Sequence, residues 1–200
     1  MPALPALPAL PALPACPPCP QTLVLDLDET LVHTFARDQR LAWWLGLFTC
    51  VPKVVLLDKG LIAHVFVGLR PYLLEVLDEV TALFQVVVYT SAERDYAEPI
   101  IELIGGGRLR ERYYRSSCRL LNGVRLKDVR CTGRPIGSVC ILDNDPSGHL
   151  LQEANAIPIA SWTGDPLDCE LIKLLPLLRQ LAASDDVRAV LQPLGLVRFD

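Results

Sequence analysis

Residues 22–34 read TLVLDLDETLVHT, an apolar run that ends in two aspartates, Asp26 and Asp28, separated by one residue. Alternate side chains of a β-strand share a face, so we expect the two carboxylates to point the same way. Each carboxylate disfavours ionisation of the other, which makes the pair costly at the end of a buried strand. A cation between them, or a shared role in catalysis, would remove this conflict. The stretch therefore predicts a buried strand with a chemical function at its end.

The composition is that of a folded domain. The chain has 200 residues, of which 51% are apolar, enough to form a core and too many for a disordered protein. Its formal net charge is −4 and its arginines are scattered, so we expect no direct binding to nucleic acid. The densest basic cluster contains Arg108, Arg110, Arg112 and Arg115. It is typical of a solvated face; the alternative is docking of a negatively charged substrate or partner.

The cysteines and the apolar segments favour a reducing compartment and no membrane span. The seven cysteines are odd in number and irregularly spaced, and no basic residue precedes the first apolar stretch, as it would in a signal peptide. Cys16 and Cys19 have ligand-like spacing, which is a weak metal signal without a second pair. Residues 41–57 are apolar, but Pro52 and Lys53 interrupt a run that is already too short for a bilayer. We therefore predict no transmembrane segment.

The first 20 residues differ from the rest of the chain. Residues 2–13 are four copies of Pro-Ala-Leu, and proline at every third position forbids a helix and favours polyproline II. We interpret residues 1–20 as a disordered tail, with docking of its leucine edge into an aromatic groove of a partner as the alternative. Residues 21–195 are predicted to form one globular domain.

Strands and helices are predicted to alternate along this domain. Buried strands are expected at residues 23–27, 84–89, 139–142 and 156–160. Helices are expected at residues 72–83, 92–104, 167–182 (kinked at Pro176) and 186–191. Short strands are expected at residues 43–48, 54–57 and 62–67, as a β insertion after the first strand, and at 112–116 and 120–126 around an Asn-Gly turn. This order predicts an α/β fold with a parallel sheet covered on both faces.

Three of the predicted strands end in polar residues. These clusters are Asp26 with Asp28, Thr90 with Ser91, and Asp143 with Asn144. In open α/β sheets ligands bind at the carboxyl ends of the strands, so the clusters are expected to converge. Lys127 is one of only four lysines and lies 16 residues before Asp143. Its position predicts a cation that balances a bound phosphate.

This ordered set resembles the haloacid dehalogenase superfamily of aspartate-dependent phosphatases. Within it, the chain is similar to the family that dephosphorylates the C-terminal domain of RNA polymerase II, and most similar to the Dullard-type nuclear envelope phosphatases. The stretches that carry the resemblance are LVLDLDETLVHT, VVVYTSAERDYAEPI, YYRSSCRLLNGVRLKDV and CILDNDPSGHLLQEANAIPIASWTGDPLDCELIKLLPLL. They occur in the family's order, and the resemblance covers roughly residues 21–192. The resemblance implies a three-layer Rossmann-like fold and a protein serine/threonine phosphatase.

The resemblance also implies a mechanism and a cofactor. Asp26 would be the nucleophile that forms an aspartyl-phosphate intermediate, and Asp28 the general acid and then the general base. Mg²⁺ would be held by the Asp26 carboxylate, the Asp28 carbonyl and the Asn144 side chain. Thr90 and Lys127 would bind the phosphoryl oxygens.

Four further residues are expected to support this site. Asp143 would fix Lys127 or a metal-bound water, and Thr30 would hydrogen-bond within its own turn to hold the nucleophile loop. Family members commonly have Ala-Ser after the threonine, where this chain has Ser91-Ala92. The Ser91 hydroxyl would then substitute as a hydrogen-bond donor to the phosphate. Asp145 stands where a serine is common, and its carboxylate would strengthen cation binding while it repels phosphate. Dullard-type members also carry an N-terminal membrane segment. The proline repeat of this chain cannot take the place of that segment.

Two other functions compete with this one. A catalytically idle interaction module, like the related mitochondrial import receptor, is disfavoured because Asp26 and Asp28 are intact. A small-molecule phosphatase is disfavoured because the β insertion is too small to cap the site. The implied partners are a phosphoserine or phosphothreonine protein and a regulatory subunit. The implied location is the nucleus or the nuclear envelope and ER surface, with the cytoplasm as the alternative.

Overall fold

The structure is a computed structural model, and it describes residues 21–35, 50–56 and 62–195. The predicted tail and the predicted strand at residues 43–48 lie outside the described residues, so they stay predictions. The strands are, in chain order, β1 Thr22–Leu25, β2 Val32–Phe35, β3 Cys50–Leu56, β4 Ile62–Leu69, β5 Gln85–Tyr89, β6 Glu111–Tyr113, β7 Arg119–Leu121, β8 Val124–Leu126, β9 Val139–Asp143 and β10 Ala156–Pro158. The α-helices are α1 Leu73–Leu83, α2 Arg94–Ile104, α3 Glu170–Lys173, α4 Leu175–Ala182 and α5 Val187–Leu191.

Five strands form a parallel sheet in the order β10-β9-β1-β5-β6. The strand that precedes the paired aspartates is central, since Leu23 is level with Val86 of β5 and Cys140 of β9. Central parallel strands are buried on both faces, which explains why their sequences are continuously apolar. The predicted parallel α/β sheet is confirmed.

The β insertion forms a second, antiparallel sheet in the order β2-β4-β3. Its strands β3 and β4 are longer than the sequence predicted, and β2 was not predicted. A third pair, β7 and β8, is a hairpin closed by Asn122 and Gly123, both of which have positive φ (50° and 82°). That conformation is the one that a two-residue hairpin turn requires and that Asn-Gly favours.

Both faces of the parallel sheet are covered. The larger core cluster joins one face to the buried sides of the helices; on α1 these are Leu73, Val76, Leu77 and Val80, the spacing of one helical face. The opposite face carries a smaller cluster around Val24, Val87 and Ile141, which short 3₁₀ turns at Val129–Thr132 and Ile136–Ser138 cover. Helices therefore cover one face of the sheet and short turns cover the other, so both faces are covered, as predicted.

One predicted helix differs from the observed structure. The expected helix at 167–182 begins at Glu170 and is divided at Leu174 into α3 and α4. Proline has no N–H and its ring clashes with the carbonyl four residues earlier, so Pro176 prevents a continuous helix here. None of the helices that the structure describes combines the length and the apolar character that a bilayer crossing requires.

Candidate active site

The three polar clusters meet in one cleft at the carboxyl edge of the sheet. The cleft has a volume of about 380 Å³. Its lining includes Asp26, Asp28, Ser91, Lys127, Asp143, Asn144 and Asp145. Thr90 and Thr30 are almost completely buried (1% and 0% exposed) just behind this lining. The structure therefore brings the strand ends that carry the predicted site residues to one cleft.

Asp26 is fixed by the end of the central strand. Its backbone N–H donates to the Leu142 carbonyl at 3.0 Å, which extends the ladder between β1 and β9 by one residue. The chain then turns sharply, since the N–H groups of Leu31 and Val32 both donate to the Leu27 carbonyl at 2.9 and 3.1 Å. This turn keeps the Asp26 side chain at the floor of the cleft, where it is 5% exposed.

Lys127 lies between two carboxylates at the cleft floor. Its Nζ donates to Asp143 Oδ2 at 2.7 Å and also to Asp26 Oδ1. Burial disfavours the charged ammonium, but the charges of Asp26 and Asp143 outweigh burial and raise the pKa of Lys127 above its usual range. Burial, together with the charge of Asp26, raises the pKa of Asp143, and Lys127 opposes that rise. The lysine therefore stays a cation in a largely closed environment.

The pKa of the Asp28 carboxyl group is raised toward neutrality. Burial raises its pKa to about 6, and the charge of Asp26 acts in the same direction. The hydroxyl of Tyr96 donates to Asp28 Oδ1 at 2.6 Å and opposes this rise. A carboxyl group with a pKa near neutrality can both give and accept a proton under physiological conditions.

Tyr96 was not singled out from the sequence. It lies on α2, and its hydroxyl is also 3.0 Å from Thr34 Oγ1, so it joins the helix to the insertion and to Asp28. In the sequence Tyr96 is an ordinary position of a predicted helix. The one sequence feature that could have identified Tyr96 is its position six residues after Thr90. That position lies in the first turns of the helix that follows the site.

Asn144 faces a set of converging oxygen atoms. One atom of its amide lies 2.8 Å from Thr30 Oγ1, 3.2 Å from Asp26 Oδ2 and 3.2 Å from the Asp28 carbonyl oxygen, and the other lies 2.9 Å from Ser161 Oγ. With nitrogen on the inner side, the amide donates to these acceptors. With oxygen on the inner side, oxygens of Asp26, Asp28 and Asn144 converge, which a cation would satisfy.

The donor set suits Mg²⁺. Neighbouring ligands of an octahedral Mg²⁺ at about 2.1 Å are themselves about 3 Å apart, close to the 3.2 Å that separates the Asn144 amide atom from Asp26 Oδ2 and from the Asp28 carbonyl. Among the described residues, no group of three or more His, Cys, Asp or Glu side chains is arranged to hold a metal. An ion here would depend on carboxylate, carbonyl and amide oxygens together.

Thr30 and Asp145 make contacts that differ from those expected. Thr30 Oγ1 bonds to the Asn144 side chain and accepts from its backbone N–H at 3.2 Å, so Thr30 joins two strand ends and does not bond within its own turn. The Asp145 carboxylate accepts from the N–H and the hydroxyl of Ser147 at 2.9 and 2.7 Å. Asp145 therefore caps the following 3₁₀ turn with both oxygens while it lines the cleft.

Ser91 lines the cleft, whereas the preceding residue, Thr90, is buried and is not part of the lining. Thr90 Oγ1 accepts from the Ala92 N–H at 3.0 Å, which fixes its rotamer at the start of the loop that leads to α2. Ser91 is exposed in the cleft, and its carbonyl accepts from Arg115 Nε at 2.8 Å. The hydroxyl of Ser91 is therefore accessible to a ligand, and Arg115 is held at the rim beside it.

The predicted basic cluster is not a single surface. Arg108 pairs with Asp78 and Arg112 with Glu98, so their charges are compensated locally. Arg115 stands apart from them because it lines the cleft. The solvated interpretation fits Arg108 and Arg110, which are exposed, but not Arg112, whose side chain is only 11% exposed. The docking interpretation fits Arg115, which lines the cleft.

Arg70 is a buried residue that the sequence did not identify. Its guanidinium donates to Asp168 Oδ1 and Oδ2 at 2.8 and 2.9 Å and to the Thr30 carbonyl at 3.0 Å. The side chain is fully buried, and it ties the turn after Asp28 to the segment that precedes α3. In the sequence Arg70 stands before Pro71 as a loop residue, and its partner is 98 positions away.

We expect Arg70→Met to lower the free energy of unfolding by about 3–5 kcal/mol, because it leaves a largely buried carboxylate without its cation. Urea denaturation followed by circular dichroism measures this. The control is Arg179→Met, which removes a similar two-bond pair with Glu79 at an exposed position and should cost no more than about 1 kcal/mol. Equal losses in the two variants would show that burial of the Arg70 pair is unimportant.

Comparisons with known proteins identify the family of this chain. A family model described as NLI interacting factor-like phosphatase matches residues 21–188. A probable C-terminal domain small phosphatase of Dictyostelium discoideum is 40% identical over 86% of this chain and 54% of its own length. Human carboxy-terminal domain RNA polymerase II polypeptide A small phosphatase 1 is 37% identical over 85% of this chain and 62% of its own length. The chain thus spans little more than half the length of these relatives.

Solved structures share the fold. The structure of Fcp1, an essential RNA polymerase II CTD phosphatase, has a TM-score of 0.59 and 17% identity, over 82% of this chain and 51% of its own. A structure of fission yeast Fcp1 with beryllium fluoride bound has the same TM-score, 15% identity, and covers 86% of this chain and 54% of its own. These matches confirm the haloacid dehalogenase-type fold class. The finer Dullard-type placement stays a prediction.

Proposed function

This chain belongs to the NLI interacting factor-like phosphatase family, and we propose that it is a Mg²⁺-dependent protein serine/threonine phosphatase that uses an aspartyl-phosphate intermediate. The observation that carries the proposal is the buried ammonium of Lys127 between Asp26 and Asp143 at the floor of an open cleft. A fixed cation next to an accessible carboxylate can bind a phosphoryl group and hold it against a nucleophile.

The two oxygens of Asp26 face different partners. Oδ2 faces the Asn144 amide and Oδ1 faces Lys127 Nζ. Mg²⁺ held by the Asp26 carboxylate, the Asp28 carbonyl and the Asn144 side chain would supply the charge that offsets the repulsion between carboxylate and phosphate. Oδ1 is then the attacking atom, because it lies on the side where Lys127 would hold the phosphoryl oxygens.

The proton transfers fall to Asp28. In the first step Asp26 Oδ1 bonds to phosphorus, the bond from phosphorus to the serine or threonine oxygen breaks, and that oxygen takes the proton of Asp28. In the second step water attacks phosphorus, Asp28 takes a proton from the water, and the bond to Asp26 breaks to release inorganic phosphate. A pKa of about 6 suits Asp28 to both steps.

We expect Tyr96→Phe to shift the pH dependence of turnover. The Tyr96 hydroxyl stabilises the ionised form of Asp28, so its removal raises that pKa further above the usual value. The first step needs protonated Asp28, so the fall of kcat/KM for a phosphoserine peptide, expected above about pH 6 in the wild type, should move up by about 1–2 pH units.

An aryl phosphate provides the control for this pH shift. Its phenolate leaves with little help from an acid, so its pH profile should change much less in Tyr96→Phe. A shift of the same size with both substrates would mean that Tyr96 does not act through Asp28.

The open cleft favours a protein segment as the substrate. The cleft walls are loops and the hairpin of β7 and β8, and the site residues are reached from the surface. Relatives whose names refer to RNA polymerase II support the nucleus as the location in this proposal. A regulatory subunit, recruitment to the nuclear envelope and a domain that spans residues 21–195 remain predictions.

Phosphate release from a phosphoserine peptide and from an aryl phosphate tests the function. We expect turnover with Mg²⁺ and none with excess chelator. Folded protein that binds the phosphopeptide in Mg²⁺ without turnover would support the idle interaction module. Turnover that persists in chelator would contradict the metal dependence.

A further inference from the structure

We infer that Arg125 at the rim of the cleft binds an anionic group that the substrate carries close to its phosphorylated residue. The inference rests on the proposed function and adds a substrate class to it. The ligand would be a glutamate or aspartate carboxylate or a second phosphate, since a guanidinium fork binds either anion through two hydrogen bonds.

Arg125 differs from the other arginines near it because its charge is not compensated. Arg115 lies 3.3 Å from Glu93, and both Arg119 and Arg130 pair with Asp128, at 3.3 and 2.7 Å. Arg125 is exposed, lines the cleft, and has no ion-pair or hydrogen-bond partner within the described parts of the chain. A free guanidinium that faces a phosphate-binding site is therefore available to a ligand.

The position of Arg125 sets its distance from the phosphate site. It lies on β8, two residues before Lys127. Residues two apart on an extended chain share a face and are about 7 Å apart along it. That distance equals about two residues of an extended peptide, so the anion would lie one or two positions from the phosphoserine.

The charge distribution across the cleft gives the site a direction. The acidic lining residues are Asp26, Asp28, Glu29, Asp143 and Asp145, and the lining also carries Arg115 and Arg125. Lys127 compensates the charges of Asp26 and Asp143, and Glu93 compensates the charge of Arg115. The attraction for an acidic substrate residue is therefore centred on Arg125.

The hairpin is suited to hold the arginine in place. Its two-residue turn fixes the register, in which Arg125 is level with Leu120 on the neighbouring strand. Leu120 is 64% exposed, and residues directly opposite on neighbouring strands share a face, so the aliphatic stem of Arg125 can pack along an apolar side chain.

The experiment compares phosphoserine peptides that carry alanine or glutamate at each of two positions on either side of the phosphoserine. One further peptide carries a second phosphoserine at the preferred position. We expect the wild type to favour the best glutamate peptide over the alanine peptide by about tenfold in kcat/KM, mainly through KM. A larger preference for the second phosphate would identify phosphate as the ligand, and equal preferences would identify any anion.

Arg125→Gln should reduce the preference ratio to about one. Arg110→Gln is the matched control, because Arg110 is exposed and lines a separate depression near the start of β5, and it should keep the wild-type ratio. Thermal unfolding shows that both variants are folded. A wild type without preference, or an Arg125→Gln variant that keeps it, would overturn the inference.

A binding measurement separates this inference from the proposed function. Fluorescence anisotropy of the same labelled peptides reports their affinity without any turnover. If the wild type fails to release phosphate but binds the glutamate peptide about tenfold more tightly, and Arg125→Gln removes this difference, the activity fails and the anion site stands. If the wild type releases phosphate but binds all the peptides with equal affinity, the proposed function stands and the anion site fails.

Discussion

Asp26→Asn is expected to abolish Mg²⁺-dependent phosphate release, with a loss in kcat on the order of 10⁴-fold or more, as for loss of other enzymatic nucleophiles. The amide has nearly the same shape as the carboxylate, so the turn after β1 should persist. It cannot form a phosphoryl bond, and it leaves Lys127 with Asp143 as its remaining carboxylate partner. The variant should therefore lose activity while it keeps its folded structure.

Two measurements distinguish loss of chemistry from loss of substrate binding. The variant should still bind a phosphoserine peptide, and rapid acid quench with radiolabelled substrate should detect alkali-labile protein phosphate in the wild type alone. Asp95→Asn, at an exposed aspartate in the first turn of α2, is the control and should behave as wild type. Turnover within tenfold of wild type in Asp26→Asn would require a different nucleophile.

The sequence predicts the place of the candidate catalytic residues well, because the topology of the sheet decides it. Asp26, Thr90 and Asp143 each follow an apolar run that is recognisable as a buried strand. Once the strands are parallel, their carboxyl ends must meet at one edge. Lys127 follows from a different argument, since a phosphate site at that edge needs a cation and the chain offers few lysines.

The contacts that orient these residues are not predictable in the same way. Thr30 bonds to Asn144, 114 positions away, and Arg70 bonds to Asp168, 98 positions away. Such pairs leave no periodic pattern, because each partner is a single polar residue in a loop. Tyr96 is obscured for the opposite reason, since it fits the helical pattern and looks like an ordinary helix residue.

Asp145 makes a local bond that its position in the sequence did not predict. Its place after Asn144 predicts a carboxylate beside the metal ligands, and Asp145 lines the cleft with Asn144. Both of its oxygens also accept hydrogen bonds from Ser147, in the cap of a 3₁₀ turn. Aspartate readily bonds to the backbone two residues ahead, and this short-range bond forms without any metal.

The same turn leads to a second prediction, at Gly148. A Cβ built on Gly148 would overlap Asp143 Oδ2 and lie 2.5 Å from Asp143 Cγ, far inside contact distance. Asp143 Oδ2 is the atom that holds Lys127 at 2.7 Å, and Oδ1 accepts from the Asp145 N–H at 2.9 Å. Gly148→Ala must therefore displace the Asp143 carboxylate and with it the ammonium of Lys127.

We expect Gly148→Ala to lower kcat by about 10²-fold, the effect of a displacement of about 1 Å in a catalytic group, and to cost about 1–3 kcal/mol from overpacking. Assays well below the melting temperature of the variant separate the two effects. Gly107→Ala is the matched control, since no heavy atom lies within 4 Å of its Cβ position, and it should leave kcat unchanged. Full activity in Gly148→Ala would mean that the Lys127–Asp143 contact is not needed for turnover, because the methyl group and the observed carboxylate position cannot coexist.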